Sequence, residues 1–235
     1  MKGLAMHIAN GIVNLPVSLA FAALAAIALT ICVIRARQDL DDRLAPMAGL
    51  VAAFIFAVQM INYPVLPGVS GHLLGGALAV ILVGPWVGAL CVSVVLIVQS
   101  LVISDGGLSA LGLNITNMAL IGTAAGYLLV ALLLRVVPRT NAGLGITAFT
   151  ASVVSVVLAS QGFILQYWLG GEIELKASLA EAAGWMAGVH TLIGVGEGII
   201  TAVTVLAVAK VRPDLVYALR GLRRAPTPST VESAV

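Results

Sequence analysis

The chain alternates long apolar stretches with short segments that are rich in charge, glycine or proline. A helix needs about 20 apolar residues to cross the hydrocarbon core of a membrane, so the length of each stretch is informative. Seven stretches are candidates, at about residues 15–34, 47–62, 72–83, 86–103, 113–134, 144–169 and 185–209. This pattern predicts an all-α, polytopic membrane helical bundle with about seven transmembrane helices.

The third stretch is too short to span a membrane fully. It begins after Pro64, Pro67 and Gly68 and stops at Gly84 and Pro85, which are residues that interrupt helices. We therefore expect this segment to be tilted, partly re-entrant or packed inside the bundle.

Composition favours the membrane interpretation over a soluble fold. Of the 235 residues, 60% are hydrophobic and 9% are charged, and the mean hydropathy is +1.11. A large soluble helical core would need a charged outer surface, which so few charges cannot supply. Cys32 and Cys91 lie in predicted helices without a Cys-x-x-Cys pattern, so we expect them to be core residues rather than metal ligands.

The positive charges predict the orientation of the bundle. Ten of the twelve Lys and Arg residues lie in segments on one side: Arg35, Arg37, Arg43, Arg135, Arg139, Lys210, Arg212, Arg220, Arg223 and Arg224. By the positive-inside rule the N-terminus faces out and the C-terminus faces in. We expect an outer N-terminal segment at 1–14, a transmembrane domain at 15–209 and a cytoplasmic basic tail at 210–235.

Known catalytic motifs are missing from the sequence. It has no Gly-x-x-x-x-Gly-Lys-Ser/Thr phosphate loop, no His-Glu-x-x-His zinc helix and no Gly-x-Ser-x-Gly elbow. The residues therefore do not favour an enzyme that hydrolyses ATP or peptides.

We expect His7 in the outer N-terminal segment, His72 at the start of the third helix and His190 in the first turns of the last helix. The predicted orientation then places all three histidines on the same, outer side. A histidine that is second in a chain with a free amine offers three nitrogens to one metal ion, and a second imidazole would complete a square. Such nitrogen sites suit Ni²⁺ and Cu²⁺ and accept Co²⁺. This chelate requires Met6 to be the mature N-terminus, so we expect residues 1–5 to be absent from the mature chain.

Four segments together resemble the CbiM/NikM family. They are Met6-His7-Ile8-Ala9-Asn10-Gly11, Ser70-Gly71-His72-Leu73-Leu74-Gly75-Gly76, Asn114-Ile115-Thr116-Asn117-Met118 and the segment from His190 to Glu197. The similarity runs from Met6 to about Lys210. It implies the substrate-specific component of a cobalt or nickel energy-coupling-factor transporter, with that component's helical fold and an additional N-terminal helix. This sequence departs from the family at Asn10, where an acidic residue is common.

The resemblance also implies a ligand set and partners. Met6, His7 and His72 match the positions that bind the transported Ni²⁺ or Co²⁺, and no other cofactor is implied. The partners would be a CbiQ/NikQ-like transmembrane coupling subunit, a CbiO/NikO-like ATPase and a CbiN/NikN-like small membrane subunit. The location would be the inner or plasma membrane.

Four further polar residues are predicted to support the site rather than to bind the ion. His190 and Glu197 are seven residues apart and hence share a helical face. A carboxylate inside a membrane costs free energy, so its presence indicates a functional or structural role. Asn114 and Asn117 are spaced to join helices. A hydrogen-bonded group that orients a ligand would explain all four.

Two other functions stay open from the sequence. A substrate-specific component for an organic vitamin should have aromatic stacking groups in its pocket, and only 5% of this chain is aromatic. In a non-transporting membrane scaffold, the histidines would be incidental. The residues also do not distinguish nickel from cobalt, since both accept nitrogen ligands.

Overall fold

The computed structural model describes residues 7–39, 44–61, 63–66, 69–138, 140–174 and 177–220. Most of these residues are helical. The helices are α1 Leu15–Asp39, α2 Leu44–Gln59, α3 Gly76–Val83, α4 Pro85–Val98, α5 Leu111–Asn114, α6 Gly122–Val136, α7 Asn141–Gly170, α8 Leu179–Val211 and α9 Tyr217–Arg220. Wider π-helical turns continue α4 through Gln99–Ile103 and join α5 to α6 through Ile115–Ile121.

One short hairpin interrupts the helices. Strand β1, Tyr63–Leu66, pairs antiparallel with β2, Val69–Gly71, and Tyr63 lies opposite Gly71. The hairpin connects α2 to the loop that precedes α3. Its two strands are a small exception to the all-α prediction.

Helices lie at all seven apolar stretches. Within the part of the chain that the structure describes, five helical segments are long and apolar enough to cross a membrane: Leu15–Gln38, Pro85–Ile103, Leu108–Val136, Asn141–Gly170 and Leu179–Val211. Helix α2 has 16 residues and α3 has eight. The prediction of a multi-pass helical membrane bundle is confirmed. The count of seven crossings and the orientation stay predictions.

Two predicted helix boundaries are wrong. We expected His72 to open the third helix, but α3 begins at Gly76, because Gly75 has φ +85 and its amide is held by a side chain from α8. We also expected His190 in the first turns of the last helix. Helix α8 begins at Leu179, where Ser178 and Glu181 form a capping box, so His190 lies about three turns inside.

Helix α3 occupies the centre of the bundle. All eight of its residues are buried, and it contacts α2, α4, α6, α7 and α8. Close approach depends on glycine: a side chain at Gly76 would lie 2.9 Å from the backbone of Gly122, and one at Gly126 would lie 3.1 Å from Ala77 Cα. Small residues let helices pack closely where lipid supplies no hydrophobic drive. The expectation that this short segment packs inside the bundle is confirmed.

The remaining helices surround α3 and leave apolar side chains facing outward. Helix α1 exposes Leu19, Ile27 and Ile34, as expected for a surface that meets lipid. Cys32 and Cys91 are both buried and neither forms a disulfide, which confirms them as core residues. Helices α1 and α8 begin, and α7 ends, at the same end of the bundle, where the chain from 7 to 14 crosses.

The packing around α3 gives a stability test. Gly126→Val should lower the melting temperature of the detergent-solubilised protein, because the added side chain would overlap Ala77; overpacking of this kind costs about 1 to 3 kcal/mol. Gly188→Val is the matched control, since a Cβ at Gly188 meets no described atom within 4 Å. Equal thermal shifts for the two variants, measured by intrinsic fluorescence, would contradict the central position of α3.

Candidate metal-binding site

Hydrogen bonds to the backbone of the N-terminal segment hold it against the bundle. The side chain of Asn114 makes a two-point contact with Ile8: its Oδ1 accepts from the Ile8 amide at 3.0 Å, and its Nδ2 donates to the Ile8 carbonyl at 3.2 Å. The Gly107 amide donates to the same carbonyl at 3.0 Å. Because both polar groups of Ile8 are engaged, the neighbouring His7 has a fixed position.

A second set of contacts fixes the rest of the segment. Asn10 Oδ1 accepts from the Ser109 amide at 3.0 Å and from its hydroxyl at 2.7 Å. Farther along, the Asn14 amide donates to the Gly170 carbonyl at 2.7 Å, and the Glu172 amide donates to the Ile12 carbonyl at 3.0 Å. Asn10 therefore supplies an acceptor oxygen, as an acidic residue at that position also would.

Two glycines make room for this segment. Gly106 has φ +86, which favours glycine, and a Cβ there would lie 2.9 Å from His7 Cβ. A Cβ at Gly107 would overlap Asn10 Oδ1. Sequence reasoning missed both residues, although the Asp105-Gly106-Gly107 sequence between two helices was a visible turn signal.

His72 lies in the loop between β2 and α3. Its Nδ1 lies 2.9 Å from the Leu73 carbonyl oxygen. A carbonyl can only accept, so Nδ1 carries the proton and the lone pair is on Nε2. A backbone carbonyl on one ring nitrogen is the usual way in which proteins fix the tautomer of a metal-binding histidine.

The loop that carries His72 is itself anchored by two buried side chains. Glu197 accepts from the Leu74 amide at 2.7 Å and from the Gly75 amide at 3.1 Å, while Gln59 Nε2 donates to the Leu74 carbonyl at 2.9 Å. Both side chains are almost completely buried. Glu197 thus acts through the loop, and it is not among the described residues that line the cavity below. Sequence reasoning missed Gln59.

The two anchored segments bring His7 and His72 together. Their ring centres are 5.0 Å apart, with an angle of 68° between the ring planes. The residues are 8% and 7% exposed, so both imidazoles are shielded from solvent. Neither ring nitrogen of His7 has a hydrogen-bond partner among the described residues. His7 Nδ1 does lie 3.3 Å from Asp105 Oδ1, without hydrogen-bond geometry. A buried imidazole nitrogen without a hydrogen-bond partner is costly, and it can bind a ligand or a water molecule.

A cavity of about 240 Å³ adjoins the histidine pair. Its lining consists of His7, Ile8, Ile12, His72, Leu74, Asn114, Asn117, Met118, Ala159, Ser160, Phe163, Met186 and His190. His190 Nδ1 donates to the Met186 carbonyl at 2.8 Å, and Asn117 Nδ2 donates to Gln166 Oε1 at 2.8 Å. Asn117 thus joins α7 to the turn after α5, while His190 adds a third imidazole to the wall.

Side chains alone do not form a complete metal site. Across the described ranges, no group of three His, Cys, Asp or Glu side chains is close enough to hold an ion. Any further donors to an ion would have to come from other groups, and the chelate predicted from the sequence would take them from the backbone and the N-terminal amine. Met6, which would supply the amine, lies outside the described residues.

The chain matches a family model over residues 7–215, and that family, CbiM, is described as the cobalt uptake substrate-specific transmembrane region. The chain belongs to the CbiM/NikM family. The family resemblance noted in the sequence is thereby confirmed, and it covers both segments that carry the histidine pair. Membership places the chain among multi-pass membrane components of cobalt and nickel transport.

Relatives of this CbiM/NikM chain include a putative fused nickel transport protein NikMN from Archaeoglobus fulgidus, 38% identical over 213 residues, covering 90% of this chain and 68% of that protein. The cobalt transport protein CbiM from Sorangium cellulosum is 31% identical over 226 residues, covering 94% of this chain and 99% of that protein. The crystal structure of a truncated transition metal transporter superposes with a TM-score of 0.74 and 25% identity, covering 87% of this chain and 99% of that one.

The contact between Asn114 and Ile8 can be tested without a metal ion. Asn114→Ala removes both hydrogen bonds, a loss of roughly 1 to 3 kcal/mol, and should speed amide hydrogen exchange in residues 7–12. The exposed Asn141, at the start of α7, gives the control variant Asn141→Ala. Unchanged exchange in residues 7–12 of Asn114→Ala would contradict the anchoring role.

Proposed function

We propose that this chain is the substrate-binding subunit of an energy-coupling-factor importer and captures Ni²⁺ or Co²⁺ at the outer face of the inner or plasma membrane. The observation that carries the proposal is the His7 and His72 pair, buried at 5.0 Å on the wall of a cavity at one end of the bundle. Two imidazoles on one ion have ring centres about 4.5 Å apart when adjacent and about 6.4 Å apart when opposite. The observed separation lies within that range.

The chelate would use nitrogen donors from two parts of the chain. Met6 would supply its terminal amine, and His7 would supply its deprotonated backbone amide and Nδ1, which close a six-membered ring on the ion. His72 would supply Nε2, because its Nδ1 donates to the Leu73 carbonyl. This donor set suits Ni²⁺ and accepts Co²⁺, whereas Mg²⁺ and Ca²⁺ prefer oxygen.

Cavity size favours an ion over an organic vitamin. Sites for small organic molecules usually have volumes of about 300 to 1,000 Å³, and this cavity has about 240 Å³. Apart from the histidines, Phe163 is the one aromatic side chain that the described residues contribute to its lining. A flat organic ring would therefore have little room and few stacking partners.

The charge distribution supports an outward-facing cavity. Helices α1, α6 and α8 carry Arg37, Arg135 and Lys210 in their last turns. Those ends lie opposite the cavity, because α1 and α8 begin near it and α7 ends near it. If the basic ends face the cytoplasm, as the positive-inside rule requires, the cavity opens to the outside.

Energy for transport would come from partner subunits. The sequence contains no phosphate-binding loop, so CbiO/NikO-like ATPases and a CbiQ/NikQ-like coupling protein would drive the reorientation that releases the ion inward. A CbiN/NikN-like subunit is supported by relatives that are named as fused NikMN proteins. The role of this chain would be binding rather than catalysis.

Substitution of the histidines tests the proposed ligands. His7→Ala and His72→Ala should each weaken Ni²⁺ binding by at least about 100-fold in equilibrium dialysis, because each removes a donor. Glu197→Gln should cost less, since an amide oxygen can still accept from the loop. Thr191→Ala is the control, because the exposed Thr191 hydroxyl bonds within α8 and does not line the cavity.

Wild-type affinity in His72→Ala would defeat the assignment of the site. Absence of micromolar or tighter binding to either ion by the unaltered protein would instead favour the scaffold interpretation. The same dialysis experiment therefore distinguishes the two functions.

The position of the N-terminus provides a separate test. A chain that begins at Met6 with a free amine should bind Ni²⁺ tightly. A chain that retains residues 1–5 should bind it much more weakly, because the Met6 nitrogen would then be part of a peptide bond. Intact-mass analysis establishes which form is present, and calorimetry compares the affinities. Equal affinity in the two forms would rule out the terminal chelate.

A further inference from the structure

A groove of about 400 Å³ lies on the surface of the bundle between α1, α4 and α6. It shares no lining residue with the cavity beside the histidines, so it is a separate feature of the molecule. Each of the three helices contributes to its walls, and the residues include Ile31 and Cys32 from α1, Trp86 and Ala89 from α4, and Ala124 and Tyr127 from α6.

The lining of the groove favours an apolar occupant. The described residues of the lining include no charged one, and the Thr123 hydroxyl already donates to the Ala119 carbonyl. Ile31, Trp86 and Tyr127 are exposed on the outside of the bundle, where the protein meets lipid. The groove is therefore accessible to lipid chains directly from the membrane.

The size of the groove favours a narrow chain over a protein helix. One turn of an α-helix is about 10 Å wide and 5.4 Å long, so it occupies roughly 420 Å³. The groove has room for about one such turn, whereas a helix that crosses a membrane has about 20 residues and more than five turns. The acyl chain of a phospholipid is narrower and can lie along the groove.

A positive charge lies beyond one end of the groove. Arg35 follows Ile31 by four residues and Cys32 by three, so it lies on the same face of α1, about one turn closer to the end of that helix. It is exposed, and its aliphatic stem lets the guanidinium group extend toward the membrane surface. Trp86 lies in the first turn of α4, and tryptophan is enriched where membrane meets water.

We propose that this groove binds one acyl chain of an anionic phospholipid and that Arg35 holds the phosphate of its headgroup. The apolar lining accepts the chain, while a guanidinium group pairs with phosphate through two parallel hydrogen bonds. Helix α1 packs closely on the bundle near Ala22, where a Cβ at Gly112 would overlap its backbone. The lipid would fill the space between α1 and its neighbours farther along the helix, and would thus stabilise the attachment of α1.

Native mass spectrometry of the full, detergent-solubilised chain tests the headgroup contact. The two probes share the same acyl chains: phosphatidylglycerol is anionic, and phosphatidylethanolamine has no net charge. Wild type should retain phosphatidylglycerol about five times more strongly, which is the preference expected from one arginine near the headgroup. Arg35→Ala should lose most of that preference. Arg37→Ala is the matched control and should keep it, because Arg37 is also exposed but lies two residues on, on the opposite side of α1.

A second pair of variants tests the apolar part of the site. Ala124→Trp places a large side chain in the groove and should weaken the retention of both lipids. Ala23→Trp is the control, since Ala23 does not line the groove. Both alanines are exposed, so neither substitution adds a side chain to the core.

Three results would overturn the lipid site. The first is equal retention of the two lipids by wild type, or an unchanged preference in Arg35→Ala. The second is unchanged lipid retention in Ala124→Trp, because the lipid would then bind outside the groove. The third is a co-expressed small membrane subunit that is lost from Ala124→Trp but kept by Ala23→Trp while lipid retention stays the same, which would identify a protein as the occupant.

Discussion

The burial of two imidazoles on the wall of one cavity is the constraint around which this end of the molecule is organised. His7 and His72 are 65 positions apart in the chain, and neither lies in a helix. Each is carried by a backbone segment whose polar groups are bonded to side chains of the bundle: Asn114 holds the first segment, and Glu197 and Gln59 hold the second. The imidazoles are therefore placed by anchored loops rather than by a helical face.

These anchors explain why polar residues are buried in so apolar a bundle. A buried carboxylate or amide is tolerated when its hydrogen bonds are satisfied, and Glu197 accepts from the Leu74 and Gly75 amides in the buried loop before α3. The buried Asn114 side chain likewise bonds to the amide and the carbonyl of Ile8 in the N-terminal segment. Polar burial and site geometry are thus two consequences of the same contacts.

The fold was largely predictable from hydropathy, because long apolar stretches predict helices that avoid water by lying in the membrane. Helices lie at all seven apolar stretches. The boundaries were less predictable: α8 extends before its apolar part because the Ser178 and Glu181 capping box starts it early, and α3 starts late because Gly75 adopts a left-handed conformation. Both are local backbone effects that average hydropathy does not detect.

The site was predictable only in part. Chemistry and family resemblance selected His7, His72, Asn114 and Glu197, and the structure brings the two histidines together and gives the other two anchoring contacts. Gln59 and the approach of Asp105 to His7 were not predicted, since contacts between positions so distant in the sequence leave no local pattern.

The central claim is that one ion is bound between His7 and His72, and anomalous diffraction tests it most directly. Crystals of the chain that begins at Met6, grown with Ni²⁺, should show one strong anomalous peak at the nickel edge, about 2.0 to 2.2 Å from a ring nitrogen of each histidine. A peak elsewhere in the bundle, or no peak between these two rings in fully loaded protein, would contradict the account.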